Sequence, residues 1–181
     1  GKAAAVAALP YDVVNREEAA AIGKENPDSF LHIDRAEMDL PAETDLYDVK
    51  VYQKAKENLH KMEETGVLVQ DHKPCYYIYE LVRKGKVQTG IAGCASIDDY
   101  LNNVVKKHEL TRSDKELDRI NHVDVCDANT GPIFLACRYP ESLLKLMNDW
   151  KENHEAAYDF TEDDQITHRV WVIDNQEIIG E

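Results

Sequence analysis

The chain has 181 residues, 35 of them acidic and 21 of them lysine or arginine, so its formal net charge is −14 at pH 7. An apolar fraction of 43% is enough for a hydrophobic core, which excludes an intrinsically disordered chain. The negative charge argues against nucleic acid and anionic membranes as partners, because both would repel it. No apolar run approaches the roughly 20 residues that span a bilayer, and we expect a cytoplasmic protein.

The first part of the chain favours helices joined by short extended segments. The predicted elements are a helix over residues 16–24, a short strand over 30–33, a surface loop over 34–45 and a helix over 47–65. Apolar residues recur along the last helix at spacings of three and four, beginning at Tyr47, and Gly66 ends it. This face is typical of core packing.

The clearest β signal is a hairpin around Lys84-Gly85. A two-residue loop pairs residues whose numbers sum to 169, and this register sets large rings opposite small residues, such as Tyr79 opposite Gly90. The same register places Cys75 opposite Cys94, so a cross-strand disulfide is one alternative. Because the four cysteines have no CxxC spacing and the expected compartment is reducing, we expect reduced thiols.

Helices and strands also mix without strict alternation in the second part. The predicted elements are a helix over residues 98–105, a helix from the capping-box pattern at 113–116 to about 129, a buried strand over 133–139, a helix from 140, a strand over 168–173 and the first turns of a helix over 176–181. This pattern favours a single α+β domain over residues 1–181, with a mixed sheet that includes an antiparallel hairpin and is flanked by helices. The abrupt end inside a helix start suggests a piece of a longer protein.

The stretch KKHELTRSDKELDR, residues 106–119, is the main candidate for a functional site, because it gathers five basic side chains in an acidic chain. A helix that begins inside it would add free N–H groups and the helix dipole, which favour phosphate or carboxylate. The candidate binding groups are Lys106, Lys107, Thr111, Ser113, Lys115 and Arg119. Glu109 is the candidate general base, with His108 as an alternative base or orienting group. The competing interpretation is a solvated helix start whose charges pair with one another.

Other chemistry has little support. The zinc motif HExxH is broken, since Arg112 stands where its second histidine would be, and the signatures GxSxG, GxxxxGK[ST] and GxGxxG are absent. The remaining histidines are dispersed, and the acidic tract over residues 149–164 lacks EF-hand spacing. We therefore predict no metal site.

Four segments at natural spacing, residues 9–19, 26–35, 88–122 and 129–134, resemble the domain-of-unknown-function family 1015. The resemblance implies site roles for the matching residues His108, Glu109, Thr111, Lys115, Asp118 and Arg119, with weaker roles for Asp12 and the pair Thr130-Gly131. Family members carry an Asp-Gly-His-His-Arg motif beyond the equivalent of Asp174. That motif is similar to one in ParB/sulfiredoxin-like proteins, among them kinases of free serine, and it is absent from this sequence.

The resemblance implies a nucleotide-dependent phosphotransferase acting on a small hydroxylated substrate such as an amino acid, with a nucleotide and Mg²⁺ as the implied cofactors and a ParB/sulfiredoxin-like fold. Without the downstream motif, we expect the chain itself to be inactive. The alternative function is a non-catalytic ligand-sensing or interaction module. The expected partner is a small anion or nucleotide, and the hairpin edge leaves a homodimer as a further alternative.

Overall fold

Helices and one sheet make up the computed structural model, which describes residues 2–107, 111–162 and 164–180. Its helices, in chain order, are α1 (Ala3–Val6), α2 (Arg16–Glu25), α3 (Leu31–Asp34), a 3₁₀ turn (Ala36–Asp39), α4 (Val49–Glu64), α5 (Ile97–Leu101), α6 (Ser113–Cys126), α7 (Glu141–Asn153) and α8 (Gln176–Ile179). Its strands are β1 (Tyr76–Arg83), β2 (Lys86–Ala92), β3 (Tyr158–Thr161) and β4 (Thr167–Ile173). The fold class is α+β, as the sequence predicts.

The strands form one sheet in the order β2-β1-β4-β3. All pairings among the described strands are antiparallel, so the prediction of a mixed sheet is wrong in this respect. The reason is the connectivity: β1–β2 and β3–β4 are each neighbours in sequence and in space, and β4 then lies antiparallel beside β1. A parallel pair would need a crossover connection between adjacent strands.

The β1–β2 hairpin has the predicted register, from Tyr77 opposite Ala92 to Arg83 opposite Lys86. Lys84 and Gly85 both have positive φ, 50° and 76°, which is the requirement of the two-residue type I′ turn. A small residue also faces a large ring just beyond the paired residues of the two strands. A Cβ at Gly93 would lie 2.4 Å from the ring of Tyr76, so only glycine fits there without movement.

The helical half of the molecule is built on α4, which packs against α3, α6 and the 3₁₀ turn. The core of this half consists of Ile33, Ala36, Val51, Ala55, Leu59, Met62 and Cys126. Arg16 at the start of α2 fixes the adjoining loop, because its guanidinium donates hydrogen bonds of 2.8–3.1 Å to five backbone carbonyls between Glu37 and Thr44. That loop leads into α4 and sets the position of Tyr47.

The sheet half has its own core, where α7 covers one face of the sheet. The buried residues there are Ile78, Met147, Trp150, Trp171 and Ile173. The indole N–H of Trp150 donates to the carbonyl of Val172 at 3.1 Å, which ties α7 to β4. Leu143 also packs in this core, whereas Leu144 is half exposed.

Two predicted strands are wrong. Residues 30–33 belong largely to α3, and the amides of Ile33 and Asp34 donate to the carbonyl of Phe30. Residues 133–139 are not part of the described sheet, and Ile133 and Phe134 are 76% and 81% exposed rather than buried. In both cases the sequence contains an apolar run, and an apolar run alone does not distinguish a strand from a helix or an exposed segment.

Other differences are smaller. The acidic tract over residues 149–164 contains β3, which the sequence analysis missed, and α5 is shorter than the predicted helix over 98–105. Helix α6 ends at Cys126, where Asp127 takes the left-handed conformation with φ of 52°. All four cysteines are free thiols, although Cys94 and Cys137 are exposed rather than packed. None of the helices in the described ranges is long and apolar enough to cross a membrane.

Candidate functional site

The first turn of α6, where the sequence predicts an anion, is occupied by its own side chains. Arg112 is the N-cap residue and its side chain makes no capping hydrogen bond, so the predicted capping box at residues 113–116 does not form. The carboxylate of Asp114 pairs with Arg112 at 2.8 Å. Desolvation acts to raise the pKa of Asp114, but Arg112 and the backbone N–H groups of Asp114 and Lys115 outweigh it and lower the pKa overall. An external anion would therefore compete with Asp114 at this helix end.

The basic residues of the second turn have a different environment. Lys115 and Arg119, one turn apart on α6, lie between a small inner cavity of about 40 Å³ and an open outer groove of about 540 Å³, and they line both. Tyr11 is the third residue common to both walls. The inner cavity has room for a few water molecules at most, whereas the groove is large enough for a small ligand.

Aromatic rings hold the two cations in place. The guanidinium carbon of Arg119 lies 4.5 Å from the ring centroid of Tyr11. The Nζ atom of Lys115 donates to the hydroxyl of Tyr47 at 3.2 Å and lies 5.7 Å from the centroid of that ring. Neither contact neutralises the charge, because both partners are neutral aromatic side chains.

Asp118 is a positioning residue rather than a free ligand. Its Oδ2 atom accepts from Nε and Nη2 of Arg119 at 3.1 and 2.8 Å, and its Oδ1 atom accepts from the hydroxyl of Tyr52 at 3.0 Å. Burial and the hydrogen bond to Asp118 raise the pKa of Tyr52, so the phenol stays protonated as a donor. With both oxygens engaged, Asp118 fixes the direction of the Arg119 fork.

His122 closes the back of the cavity. It is 3% exposed, its Nε2 atom lies 3.1 Å from the carbonyl of Ile33, and its ring meets the ring of Tyr52 edge to face. Because a carbonyl only accepts, Nε2 carries the proton. His122 therefore links α6 to α3.

Buried carboxyl groups line the rest of the inner cavity. Burial raises the pKa of Asp34, although a hydrogen bond from Thr130 of 3.0 Å and the charges of His122 and Arg119 oppose this shift. Glu37 is 4% exposed and lies 3.0 Å from Arg35. Among the described residues, Glu37 Oε1 and Arg35 Nε have no hydrogen-bond partner with good geometry. The cavity thus contains polar groups that its own side chains leave unsatisfied.

The comparisons with known proteins give one result. A family model described as "Protein of unknown function (DUF1015)" matches residues 1–181. The chain belongs to this family. Neither the curated proteins nor the solved structures give a match. The resemblance of the sequence segments to the DUF1015 family is therefore confirmed.

The structure brings together only part of the predicted site of this DUF1015 chain. Thr111, Lys115 and Arg119 line the outer groove, and Asp118 supports Arg119 from the inner cavity. Thr130, a weaker candidate, lies at Asp34. The predicted catalytic pair, His108 and Glu109, lies outside the described residues.

Three predicted binding residues lie elsewhere. Lys106 donates to the carbonyl of Asn103 at 2.5 Å, and Lys107 lies over the ring of Tyr100 at 4.7 Å. Asp12 is exposed beside Tyr11 and lines neither the inner cavity nor the groove. The density of charge in the sequence predicts the two lysines and the family resemblance implies Asp12, but none of the three lines the inner cavity or the groove.

Sequence reasoning missed several residues of the cavity. They are Tyr11, Asp34, Arg35, Glu37, Tyr47, Tyr52 and His122. For His122 a signal existed, because Lys115, Asp118, Arg119 and His122 recur at helical spacing on one face of α6. The other residues belong to segments that are distant from α6 in sequence, and only tertiary packing brings them to the cavity.

A protein cage for a metal ion is not formed by the described part of the chain, in which no group of three or more His, Cys, Asp and Glu side chains could hold one. The carboxylates of the inner cavity are engaged instead with Arg119, Arg35, Tyr52 and Thr130. Mg²⁺ commonly binds through phosphates and only one or two carboxylates. In the described site the positive charges that line the groove are those of Lys115 and Arg119, and no step is assigned to a metal.

Proposed function

We propose that this chain binds a small anion, a phosphate or carboxylate group, in the outer groove at Lys115 and Arg119. The observation that carries the proposal is that Lys115 contacts the neutral hydroxyl of Tyr47 and, in the described ranges, pairs with no carboxylate. In a chain of net charge −14, a half-buried lysine without an acidic partner is unusual. It retains the charge that an anionic ligand needs.

Arg119 supplies the second cation and its geometry. The guanidinium has five N–H donors, of which Asp118 engages only those on Nε and Nη2. The remaining face is available to an anion in the groove, while Tyr11 and Asp118 keep the side chain from moving away. Thr111 on the groove wall adds a hydroxyl donor. The ammonium group of Lys115, the planar guanidinium of Arg119 and the hydroxyl of Thr111 together are a common set of donors for phosphate.

In a protein that also carries the Asp-Gly-His-His-Arg motif, this site would hold the phosphate or acidic group of the substrates of a nucleotide-dependent phosphotransferase. The substrate hydroxyl oxygen would form the new P–O bond, the bond from phosphorus to the nucleotide diphosphate would break, and Glu109 would take the hydroxyl proton. The similarity between the Asp-Gly-His-His-Arg motif of family members, which is absent from this sequence, and a motif of ParB/sulfiredoxin-like kinases supports this assignment, as does the position of Glu109, six residues before Lys115.

Anion binding is tested by titrating this chain with inorganic phosphate and following the heat released. We expect Lys115→Gln to weaken binding about tenfold, since it removes a charge-assisted contact worth about 1.4 kcal/mol. Lys106→Gln and Lys107→Gln are matched controls, because these lysines lie within ten residues and line neither cavity. Failure to bind phosphate, or an equal loss in all three variants, would overturn the proposal.

A sensing module remains the second candidate, and one observation favours it. The described carboxyl groups of the inner cavity beside Arg119 are already engaged, Asp118 with Tyr52 and Arg119 and Asp34 with Thr130, so neither of these two is a ready base. The carboxyl groups that line the groove itself are those of Glu116 and Asp124. Glu109→Gln in a protein that carries the Asp-Gly-His-His-Arg motif distinguishes the two functions. If turnover is abolished while nucleotide affinity is unchanged, the protein is an enzyme, and if no nucleotide-dependent product forms with pooled amino acids, the sensing module is favoured.

A further inference from the structure

The outer groove is not uniformly polar, and its second half carries information about the ligand. Beyond Arg119, its lining consists of the carboxylate of Asp124 and the aliphatic side chains of Ile120 and Val123, which are 56% and 41% exposed. Exposed aliphatic side chains are unfavourably hydrated, and they are removed from water when an apolar group of a ligand covers them. We infer that the ligand is amphipathic, an anionic group joined to an apolar group of about the size of a phenyl ring. This inference rests on the proposed anion site.

Geometry sets the arrangement of the two groups. Lys115 and Val123 are eight residues apart on α6, which corresponds to about 12 Å along the helix axis. Lys115 and Arg119 lie at one end and Ile120 and Val123 follow on the same flank, so a ligand along the groove meets charge first and aliphatic surface second. A phosphate joined to one ring fits this length.

Charge also fixes the orientation. Asp124 lines the end of the groove near Val123, so this end repels an anion. Glu116 lines the groove beside Lys115, but the two cations Lys115 and Arg119 outnumber it, so the opposite end attracts an anion. The ligand therefore places its anionic group at Lys115 and its uncharged part towards Asp124. A molecule with anionic groups at both ends would not fit this distribution of charge.

The volumes make the outer groove, not the inner cavity, the place for the apolar group. The inner cavity of about 40 Å³ is lined by charged and polar groups, among them Asp34, Glu37 and Arg35, and would not accept a ring. The groove of about 540 Å³ lies in the range of small-molecule sites. Tyr11 borders both and forms the aromatic wall of the groove.

The test compares phenyl phosphate with glycerol 3-phosphate at pH 8, where both esters are dianions. We expect this chain to bind phenyl phosphate about tenfold more tightly, because the ring covers part of Ile120 and Val123. Ile120→Ser and the shape-conserving Val123→Thr should each remove most of this preference and leave the affinity for glycerol 3-phosphate unchanged. Leu117→Ser is the matched control, since Leu117 is 57% exposed on the same helix but does not line the groove.

The outcomes separate this inference from the proposed function. Equal affinities for the two esters, together with a loss of both affinities in Lys115→Gln, would contradict the inference of an amphipathic ligand. The proposed anion site would still be supported. An equal effect of Leu117→Ser and Ile120→Ser would also overturn it, because the preference would then come from general surface hydrophobicity. If neither ester binds, the proposed function fails first.

Discussion

Two clusters of buried charge in this molecule differ in how completely they are satisfied. In the sheet cluster, formed by Glu80, Thr89, Lys151 and Arg169, Glu80 Oε2 accepts from Lys151 at 2.9 Å and from Thr89 at 3.3 Å, and Oε1 accepts from Arg169 at 3.3 Å. In the cavity cluster, formed by Asp34, Arg35, Glu37, Asp118 and Arg119, two buried polar atoms have no hydrogen-bond partner among the described residues.

The difference indicates different roles. A carboxylate with both oxygens occupied by partners from its own fold has no capacity for a ligand, so the sheet cluster connects α7 to the sheet. The cavity cluster keeps Arg119 on the border of an open groove, and Lys115 beside it has a neutral partner. Unsatisfied polar atoms next to available cations are the pattern expected of a binding site.

The largest effect is expected from breaking the sheet cluster. Lys151→Met should lower the free energy of unfolding by about 3 kcal/mol, because Glu80, whose side chain is 8% exposed, would lose its closest cation. Methionine keeps the length of the side chain over Trp171. Urea unfolding followed by tryptophan fluorescence measures the change.

Lys145→Met is the control for this variant, because it lies on the same helix and pairs with Asp149 at the surface. Its expected cost is at most about 0.5 kcal/mol. Lys151→Met should leave phosphate affinity unchanged, since Lys151 lines neither the cavity nor the groove. Similar losses of stability in the two variants, or weaker phosphate binding in Lys151→Met, would remove the distinction between the clusters.

An intermediate effect is expected at Tyr52, where stability and binding should change together. Tyr52→Phe removes the hydroxyl that donates to Asp118 Oδ1, and it should cost about 1.5 kcal/mol because a buried carboxylate loses one of its partners. Phosphate affinity should fall by a few-fold, about 0.5–1 kcal/mol, since Asp118 directs Arg119. Tyr158→Phe, at an exposed tyrosine of β3, is the control.

Both quantities are measured on the same preparations, unfolding in urea and phosphate binding by calorimetry. A loss of stability without any loss of affinity would mean that Asp118 does not position Arg119 for a ligand. The inner cavity would then be a structural cluster like that of the sheet.

Some features of the fold could be predicted from the sequence, and others could not. The hairpin could be predicted to the residue, because Lys84-Gly85 marks the turn and the alternation of large and small residues, such as Tyr79 and Gly90, selects one register. The strands β1 and β4 were predicted separately, but their pairing joins residues about ninety positions apart. No local pattern encodes such a contact.

For the same reason, only half of the candidate site could be predicted from the sequence. Lys115 and Arg119 lie on one face of a helix that the sequence predicts, so their proximity follows from the helical period. Asp34 and Tyr52 reach the site from α3 and α4, and their approach to α6 depends on tertiary packing. Lys106 and Lys107 are close to Lys115 in sequence, but they contact Asn103 and Tyr100 and line neither the cavity nor the groove.

The smallest expected effect concerns the opposite pH dependence of the two clusters. Burial acts to raise the pKa of Glu80, but Lys151, Arg169 and Thr89 outweigh it and hold the pKa below its ordinary value of 4.5. Glu80 therefore contributes stability that is present above pH 4.5 and lost as the pH falls through the lower folded pKa. Burial raises the pKa of Asp34 above 3.8, so its contribution is favourable at low pH and declines as the pH rises above 3.8.

Asp34→Asn should consequently raise the free energy of unfolding at neutral pH, on the order of 0.5 kcal/mol, because the amide oxygen still accepts from Thr130 and no charge is buried. The gain should disappear as the pH is lowered towards 3.8, whereas the loss caused by Glu80→Gln should shrink only below 4.5. Urea unfolding between about pH 3 and pH 7 gives both slopes. If Asp34→Asn destabilises the protein at neutral pH, the carboxylate is stabilised by Arg119 and His122 more than burial penalises it. The cavity cluster would then resemble the sheet cluster, and Arg119 would be committed to Asp34 and Asp118 instead of being available to a ligand.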